Sequence, residues 1–218
     1  MSPESGTLVH DIFSAGLTLG VVLGLLIFWG EIAKRSFFEQ TTIRKLVHIS
    51  VGLVFMFCWP LFSPSPLAPF LAAVAPGINI IRMLLLGLGI WKNEAVVKSM
   101  TRKGDYRELL RGPLCYACSL TLSTTIFWRT SPIAIAAICN LCAGDGSISM
   151  AIAGFMASIG FMHYFASFGF VEESWSMFWR FMLVSLAAAI VESLPIHSEL
   201  DDNLTVSLTS LLVGAVVF

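Results

Sequence analysis

Charged residues are scarce in this sequence of 218 residues: Asp, Glu, Lys and Arg together make up only 12%, whereas hydrophobic residues make up 56%. So few charges cannot cover the surface of a water-soluble domain of this size, and the composition therefore indicates a membrane protein. The net charge is -1. Because there is no surplus of positive charge, we expect no nucleic-acid-binding surface.

A basic leader is also missing from the start of the sequence. Residues 1–11 contain no Lys or Arg, so they lack the basic region of a secretory signal, and they are not Arg- and Ser-rich like a transit peptide. If the protein works in an organelle, we expect that its targeting segment has been removed or precedes this sequence.

Four cysteines have a spacing that is found in zinc sites, but the residues around them are not those of a zinc site. Cys115 and Cys118, followed by Cys139 and Cys142, match the zinc spacing only formally. Both pairs lie in apolar runs without the polar turns of a zinc ribbon. We therefore expect these cysteines to pack as small apolar residues.

Long apolar runs dominate the rest of the chain, and about 20 apolar residues suffice for a helix to cross a bilayer. The predicted spans are 12–30, 46–62, 67–90, 113–128, 132–142, 148–170, 178–194 and 204–218. Pro76, Gly77, Asn79 and Arg82 interrupt the third, which we expect to be bent or to line a cavity. The run 132–142 is short, so it either crosses or packs inside the bundle as a re-entrant or tilted helix. The sequence predicts an all-α, polytopic transmembrane helix bundle of about 6–8 spans, a single integral membrane domain over residues 1–218.

The distribution of Lys and Arg gives this topology a test. If all eight runs cross, ten of the 13 basic residues share one side of the membrane, as the bias of basic loops predicts. These ten are Lys34, Arg35, Arg44, Lys45, Lys92, Lys98, Arg102, Lys103, Arg107 and Arg111. The polar stretches 144–146 and 192–203 would lie on the same side. Cations and carboxylates on one face are what a nucleoside triphosphate with Mg²⁺ requires.

Basic candidates for phosphate binding fall in two places. Arg44, Lys45 and His48 share a helical face at the start of the second run, where they either anchor a helix end or face a phosphate or carboxylate. Arg111 is the last cation of the basic loop 101–113, which could bind a phosphate or anionic lipid headgroups. The residues alone leave both alternatives open.

Acidic candidates fall in three places. Asp145 lies between Gly144 and Gly146, where it could be a Mg²⁺ ligand, a base for an alcohol, or part of a plain turn. Glu192 lies inside the end of an apolar run and needs a polar partner there. The segment 201–203, Asp-Asp-Asn, offers hard oxygen ligands and is also good helix-capping chemistry.

Several of these segments, taken together and in order, resemble plant phytol kinases and their farnesol kinase relatives, in the polyprenol kinase family. The likeness runs from about Arg44 to the end of the sequence. Its segments are Arg44–Ile49, Trp59–Ser63, Glu108–Leu114, Gly144–Gly146, Val191–Pro195 and Asp201–Asn203.

The resemblance implies an enzyme that transfers a phosphoryl group from CTP, or another nucleoside triphosphate, to an isoprenoid alcohol in a chloroplast membrane. The alcohol would be phytol, with farnesol and geranylgeraniol as alternatives, and phytyl phosphate would feed tocopherol synthesis. Asp145 and Asp202 would be catalytic, and both would bind Mg²⁺ with Glu192. The nucleotide would contact Arg44, Lys45, His48, Arg111, Gly144, Gly146 and Asn203, while the apolar spans hold the prenyl tail among membrane lipids.

One departure from the family concerns the residues after Gly146. The family has a polar segment of about two dozen residues there, rich in Gly, Lys and Arg, whereas here Gly146 leads directly into Ser147. The junction resembles an in-frame deletion, such as a skipped exon, and would remove cations that stabilise the transferring phosphate. Three hypotheses follow: a working kinase, a catalytically impaired splice isoform, or a small transporter or lipid-binding membrane protein that uses Asn79 and Arg82.

Overall fold

The computed structural model of the chain describes residues 3–35, 37–143, 147–194 and 201–218. Within these ranges it contains helices and no strand, so the all-α prediction is confirmed. The α-helices are α1 (Pro3–Lys34), α2 (Gln40–Phe57), α3 (Ala68–Ala72), α4 (Val74–Gly87), α5 (Glu94–Met100), α6 (Gly112–Ile126), α7 (Pro132–Cys142), α8 (Ser147–Ser167), α9 (Trp175–Ser193) and α10 (Asp202–Val217). Two 3₁₀ helices cover Trp59–Leu61 and Tyr106–Leu110.

Five helical stretches in the described ranges are long and apolar enough to cross a membrane. They are Gly6–Lys34, Gln40–Leu61, Ala68–Gly87, Ile148–Ser167 and Trp175–Ser193, and α7 and α10 are shorter apolar helices. Large apolar side chains point outward along them, including Phe13, which is 72% exposed, and Leu212, which is 69% exposed. Such a surface suits lipid rather than water, which agrees with the predicted membrane bundle.

The chain packs as two compact units, unit 1 (Met1–Thr121) and unit 2 (Leu122–Phe218). In unit 1, α1 contacts α2, α3, α4 and α5. In unit 2, α7 contacts α8, α9 and α10. The expectation of a single integral membrane domain stays a prediction.

A buried carboxylate fixes the start of α1 in unit 1. Asp11 is fully buried, and its side chain accepts hydrogen bonds from the backbone N–H and the hydroxyl of Ser63, both at 2.7 Å. Ser14 donates to the carbonyl of Leu61 at 2.8 Å. Because a buried carboxylate is costly unless it is hydrogen-bonded, these contacts tie α1 to the connection between α2 and α3.

The third predicted span is interrupted, as expected, but the break lies at Ala73 rather than at the proline. The helix α3 ends at Ala72 and α4 begins at Val74. Pro76 has no N–H to bond the carbonyl four residues earlier, and its ring crowds that carbonyl. The carbonyl belongs to Ala72, which explains why the helix breaks there.

Two helical segments were not predicted, and α2 begins earlier than expected. Both α5 and the 3₁₀ helix Tyr106–Leu110 lie in a stretch that the sequence analysis treated as polar loop. Asn93 caps α5 by accepting from the N–H of Val96 at 3.2 Å, and α5 packs on α1 and α2. Because α2 begins at Gln40, Arg44 and Lys45 belong to the helix itself.

The short run 132–142 is a helix at the centre of unit 2. Ser131 caps it by accepting from the N–H of Ile133 at 3.3 Å, and every residue from 134 to 142 is buried. Eleven residues rise only about 16 Å, roughly half the hydrocarbon thickness. The helix is therefore short and buried in unit 2, and whether it crosses the membrane stays a prediction. Cys139 and Cys142 are buried in it, which agrees with the interpretation that they pack as apolar residues.

Candidate functional site

One end of unit 2 brings together the ends of four helices. Met150 of α8, Ala188 of α9 and Val206 of α10 form a buried cluster, and Ala143, the residue after α7, packs against it. The last residues of α7 and α9 and the first residues of α8 and α10 therefore meet at this end of the unit.

Two predicted carboxylates extend from this cluster. Glu192 follows Ala188 by four residues, and Asp202 precedes Val206 by four. Residues four apart on a helix lie on the same face, one turn from each other, so Glu192 and Asp202 each stand one turn beyond the cluster. Both are half-buried. We call this surface, with Asn203, the acidic end of unit 2.

The third predicted acidic position falls outside the described residues. Neither Asp145 nor its neighbours Gly144 and Gly146 are described, and Asp145 follows Ala143 by two residues in the sequence. Its part in the site stays a prediction.

In the segment 201–203, the first residue caps α10 and the next two belong to the acidic end. Asp201 is the N-cap of α10: its carboxylate accepts from the N–H of Asn203 at 3.0 Å, and its carbonyl accepts from the N–H of Leu204 at 3.0 Å. This confirms the capping interpretation. Asp202 and Asn203 follow in the first turn of α10, where both are half-buried.

The acidic end offers a metal ion two described carboxylates, Glu192 and Asp202. Within the described ranges, no three His, Cys, Asp or Glu side chains are close enough to hold one. Glu192 and Asp202 nevertheless supply hard oxygen atoms at the same end of the unit. Mg²⁺ commonly takes one or two carboxylates and completes its shell with water and substrate phosphates. The acidic end therefore fits a Mg²⁺ ion that arrives with a nucleotide better than a permanently bound metal.

The predicted basic residues of α2 lie at one end of unit 1. His48 packs against Tyr116 of α6 with ring centroids 4.1 Å apart, and the Tyr116 hydroxyl donates to the carbonyl of His48 at 2.6 Å. Arg44 lies one turn before His48, and Arg111 precedes Tyr116 by five residues. The contact therefore brings the start of α2 and the start of α6, with their cations, to the same end.

The loop before α6 is ordered by its own acidic residues. The Glu108 carboxylate accepts from the backbone N–H groups of Arg102 at 2.5 Å and Lys103 at 3.2 Å. Asp105 accepts from the N–H of Arg107 at 2.9 Å. The side chains of the four cations in this loop, Arg102, Lys103, Arg107 and Arg111, are all exposed.

This loop is also joined to α2. The Gln40 side chain donates to the hydroxyl of Thr101 at 3.0 Å, which joins the first residue of α2 to the start of the loop. A hydrogen bond with Tyr106 and the charge of Asp105 raise the pKa of Arg107, so its guanidinium stays charged. We call this surface, formed by the four loop cations with Arg44 and Lys45, the basic end of unit 1.

The predicted site residues thus form two groups. Arg44, Lys45, His48 and Arg111 lie together in unit 1, and Glu192, Asp202 and Asn203 lie together in unit 2. Sequence reasoning missed the backbone contacts of Glu108 and the contact of Tyr116 with His48. Glu108 lies within the Glu108–Leu114 segment, but nothing in the sequence indicates which groups its carboxylate binds.

A cavity of about 510 Å³ lies elsewhere in unit 2, at the start of α7 and α9. It is lined by Thr130, Pro132, Phe170, Val171, Glu172, Ser174, Ser176, Met177 and Arg180. None of the predicted site residues that the structure describes lines it, so the cavity is separate from Glu192 and Asp202.

Known proteins similar to this chain carry kinase names. A probable phytol kinase 2, chloroplastic, from rice is 62% identical, with 99% of this chain and 79% of that protein covered. A probable phytol kinase 3, chloroplastic, from soybean is 56% identical over 96% of this chain and 73% of that protein. A farnesol kinase, chloroplastic, from Arabidopsis thaliana is 51% identical over 100% of this chain and 78% of that protein. No family model and no solved structure matches the chain.

The lengths of these alignments bear on the expected missing segment. The rice alignment extends over 240 residues, 22 more than the 218 of this chain. The Arabidopsis alignment extends over 242 residues. The relatives therefore contain residues that have no counterpart here, in a number close to that of the segment expected after Gly146.

Proposed function

Because the chain belongs to the family of phytol kinases and farnesol kinases, we propose that it transfers a phosphoryl group from CTP to the hydroxyl of an isoprenoid alcohol. Phytol is the proposed acceptor, with farnesol and geranylgeraniol as related ones. The names of the relatives support a chloroplast membrane as the location. The product, phytyl phosphate, would enter tocopherol synthesis.

The observation that carries this proposal is the acidic end of unit 2. Ala143, Ala188 and Val206 pack around one cluster, and one helical turn leads from that cluster to Glu192 and to Asp202. Asp145, two residues after Ala143, would be the third carboxylate. Glu192 and Asp202, carried by different helices to one end of unit 2, could meet a nucleotide at the surface and an alcohol from the bilayer.

The proposed reaction forms one bond and breaks one. The alcohol oxygen attacks the γ-phosphorus of CTP, and the bond from that phosphorus to the β–γ bridging oxygen breaks, releasing CDP. Asp145 or Asp202 accepts the hydroxyl proton of the alcohol. A bound Mg²⁺ would neutralise charge on the β- and γ-phosphates, and Glu192 and Asp202 would hold it. Bond making requires the reacting atoms to be held in line, which is mainly a matter of positioning.

For unit 1 we propose separately that its basic end binds phosphate. Its four loop cations are exposed, Arg44 and Lys45 are half-buried, and Glu108 and Asp105 hold the loop backbone. Cations arranged on an ordered loop lose less entropy when they bind a phosphate than the same cations on a mobile one. Arg44 and Arg111 are the proposed contacts nearest the helix starts.

The missing segment gives the proposal a second part: this form transfers phosphate more slowly than its relatives. The segment would have supplied Gly, Lys and Arg next to Asp145. Loss of one well-placed donor to the transition state costs on the order of a hundredfold in rate. The alignment lengths, which exceed that of this chain, support a missing segment, and a skipped exon is the proposed origin.

The test uses purified protein in lipid nanodiscs with Mg²⁺, phytol and γ-labelled CTP or ATP. We expect labelled phytyl phosphate with CTP, and a rate lower by about a hundredfold in Asp202→Asn. Glu173→Gln is the matched control, because Glu173 is an exposed carboxylate that contacts His163 at 3.1 Å and lies outside the acidic end. Unchanged transfer by Asp202→Asn would refute the site assignment, and absence of any CTP-dependent product would refute the activity.

The transporter hypothesis retains one observation in its favour. In α4, Asn79 Oδ1 and Arg82 Nη1 are buried and have no hydrogen-bond partner within the described part of the chain. Polar groups of this kind inside a span are typical of a substrate path. Arg82→Leu separates the two functions, because a kinase whose site lies at the helix ends would keep its transfer rate in this variant.

A further inference from the structure

Asn140 is a buried polar residue that the proposed reaction does not use. It is 1% exposed in α7, in a stretch whose other members are apolar or Cys. Its Nδ2 donates to the Ser210 hydroxyl of α10 at 3.1 Å. Its Oδ1 packs against Gly154 of α8 so closely that a Cβ at residue 154 would overlap it. One side chain therefore joins α7 to both α8 and α10.

The packing at this position depends on all three residues. Any residue larger than glycine at 154 would displace the amide, and an alanine at 210 would leave its Nδ2 without this acceptor. A buried amide is costly unless it is hydrogen-bonded, whereas an apolar side chain would fill the same space without that requirement. Interhelical hydrogen bonds in membrane proteins contribute little to stability on average. Stability alone therefore does not account for an amide here.

What the amide supplies is a fixed register. Apolar contacts between helices tolerate small shifts, but a hydrogen bond between Asn140 and Ser210 is made at one relative position of α7 and α10. A single buried polar residue can specify register in this way in coiled coils. The helix α7 ends two residues after Asn140. Ala143 then packs against the cluster that contains Val206, which lies on α10 one turn before Ser210.

The two helices lead to the two proposed catalytic carboxylates. Asp145 follows Asn140 by five residues, and Asp202 precedes Ser210 by eight on α10. A shift of α7 along α10 would move Ala143, the residue after α7, relative to Asp202 at the start of α10. Misplacement by about 1 Å at a phosphoryl-transfer site costs on the order of a hundredfold.

We propose that Asn140 is a positioning residue: its hydrogen bond to Ser210, made while it packs on Gly154, fixes the end of α7 against the start of α10, which carries Asp202. The consequence for catalysis rests on the proposed function, whereas the contact itself does not. Two measurements separate these parts.

The first measurement uses Cys142 as an internal probe. Cys142 is 2% exposed and lies two residues after Asn140, so it reacts with a membrane-permeant maleimide only when the end of α7 loosens. Peptide mass spectrometry follows its alkylation, with the exposed Cys118 as reference. In Ser210→Ala we expect alkylation of Cys142 to be about three- to fifteenfold faster, the range that corresponds to one interhelical hydrogen bond in a membrane protein.

Matched controls come from the same helices. Ser207 is a buried serine of α10, three residues before Ser210, and its hydroxyl has no hydrogen-bond partner in the described ranges. Ser207→Ala should leave the alkylation rate of Cys142 unchanged. Gly154→Ala should raise the rate, and Gly160→Ala should not, because nothing lies within 4 Å of a Cβ at 160. Equal rates for the alanine variants of Ser210 and Ser207 would overturn the contact.

The second measurement is phosphoryl transfer from CTP to phytol in the chain with the missing segment restored. We expect Ser210→Ala to lower kcat about tenfold or more and to leave the KM for CTP within twofold, while Ser210→Thr, which keeps the hydroxyl, retains the parent rate. Faster alkylation of Cys142 with an unchanged kcat would overturn the positioning role. If the restored parent chain transfers no phosphate, the proposed function is refuted. Slow alkylation of Cys142 in that parent would then show that the Asn140–Ser210 contact is intact, so that its loss does not explain the missing activity.

Discussion

Glu108 offers a sharp test of how the basic end of unit 1 binds phosphate, because two physical effects predict opposite results for its removal. The Glu108 carboxylate holds the loop backbone through the N–H groups of Arg102 and Lys103. Glu108→Ala releases this hold and leaves Arg102, Lys103, Arg107 and Arg111 on a looser loop. It also removes a negative charge from a surface proposed to bind an anion.

The two effects differ in size as well as in sign. Hydrogen bonds to a charged group contribute about 1.5–3 kcal/mol each when buried. Glu108 is half-buried, so about 1–2 kcal/mol for the pair is a reasonable figure, and its loss would weaken CTP binding roughly five- to thirtyfold. Removal of one charge about 8 Å from a phosphate in a watery environment contributes only about 0.5 kcal/mol, and this effect strengthens binding. The net expectation is a higher Kd for CTP.

The assay is equilibrium binding of CTP with Mg²⁺ to the purified protein, which does not require turnover. Glu94→Gln is the control, since Glu94 is an exposed acid in the first turn of α5, outside the loop that Glu108 holds. This control should leave the Kd unchanged or lower it by up to about twofold. A Kd that falls in Glu108→Ala would show that charge, and not loop order, governs phosphate binding at this end.

Two further predictions concern the packing of unit 1. Asp11→Ala should lower the free energy of unfolding by about 2–4 kcal/mol, because both hydrogen bonds from Ser63 are lost at a fully buried position; thermal unfolding in detergent measures it, and an unchanged Tm would contradict it. Gly87→Ala should cost about 1–3 kcal/mol, because a Cβ would lie 2.5 Å from Leu110 Cγ. Gly16→Ala, with nothing within 4 Å, should not lower the Tm, and equal losses in both variants would contradict the packing account.

Much of the fold was accessible from the sequence because the bilayer leaves few options. A backbone in hydrocarbon must satisfy its own hydrogen bonds, so a long apolar run is a helix almost by necessity. This constraint does not apply outside the apolar runs, and the helices there were not predicted. The seven-residue helix α5 depends on its Asn93 cap and on contacts with α1 and α2, and no apolar run indicates it.

The residues of the candidate site could be selected from the sequence, but their arrangement in space could not. Arg44, Asp202 and Glu192 could be selected because charged residues at span ends need partners. The proximity of Glu192 and Asp202 depends on how α9 and α10 pack, which no local pattern encodes. Asn140 illustrates the same limit, since one amide in an apolar run becomes meaningful only when Ser210 and Gly154 are known to contact it.

The most direct measurement is transfer of labelled phosphate from CTP to phytol by this chain and by the same chain with the corresponding rice segment inserted between Gly146 and Ser147. The account predicts a rate at least about a hundredfold higher in the restored chain. It also predicts that Asp145→Asn and Asp202→Asn each abolish most of this gain. Equal rates with and without the segment, or full activity in both variants, would contradict the placement of phosphoryl transfer at the acidic end of unit 2.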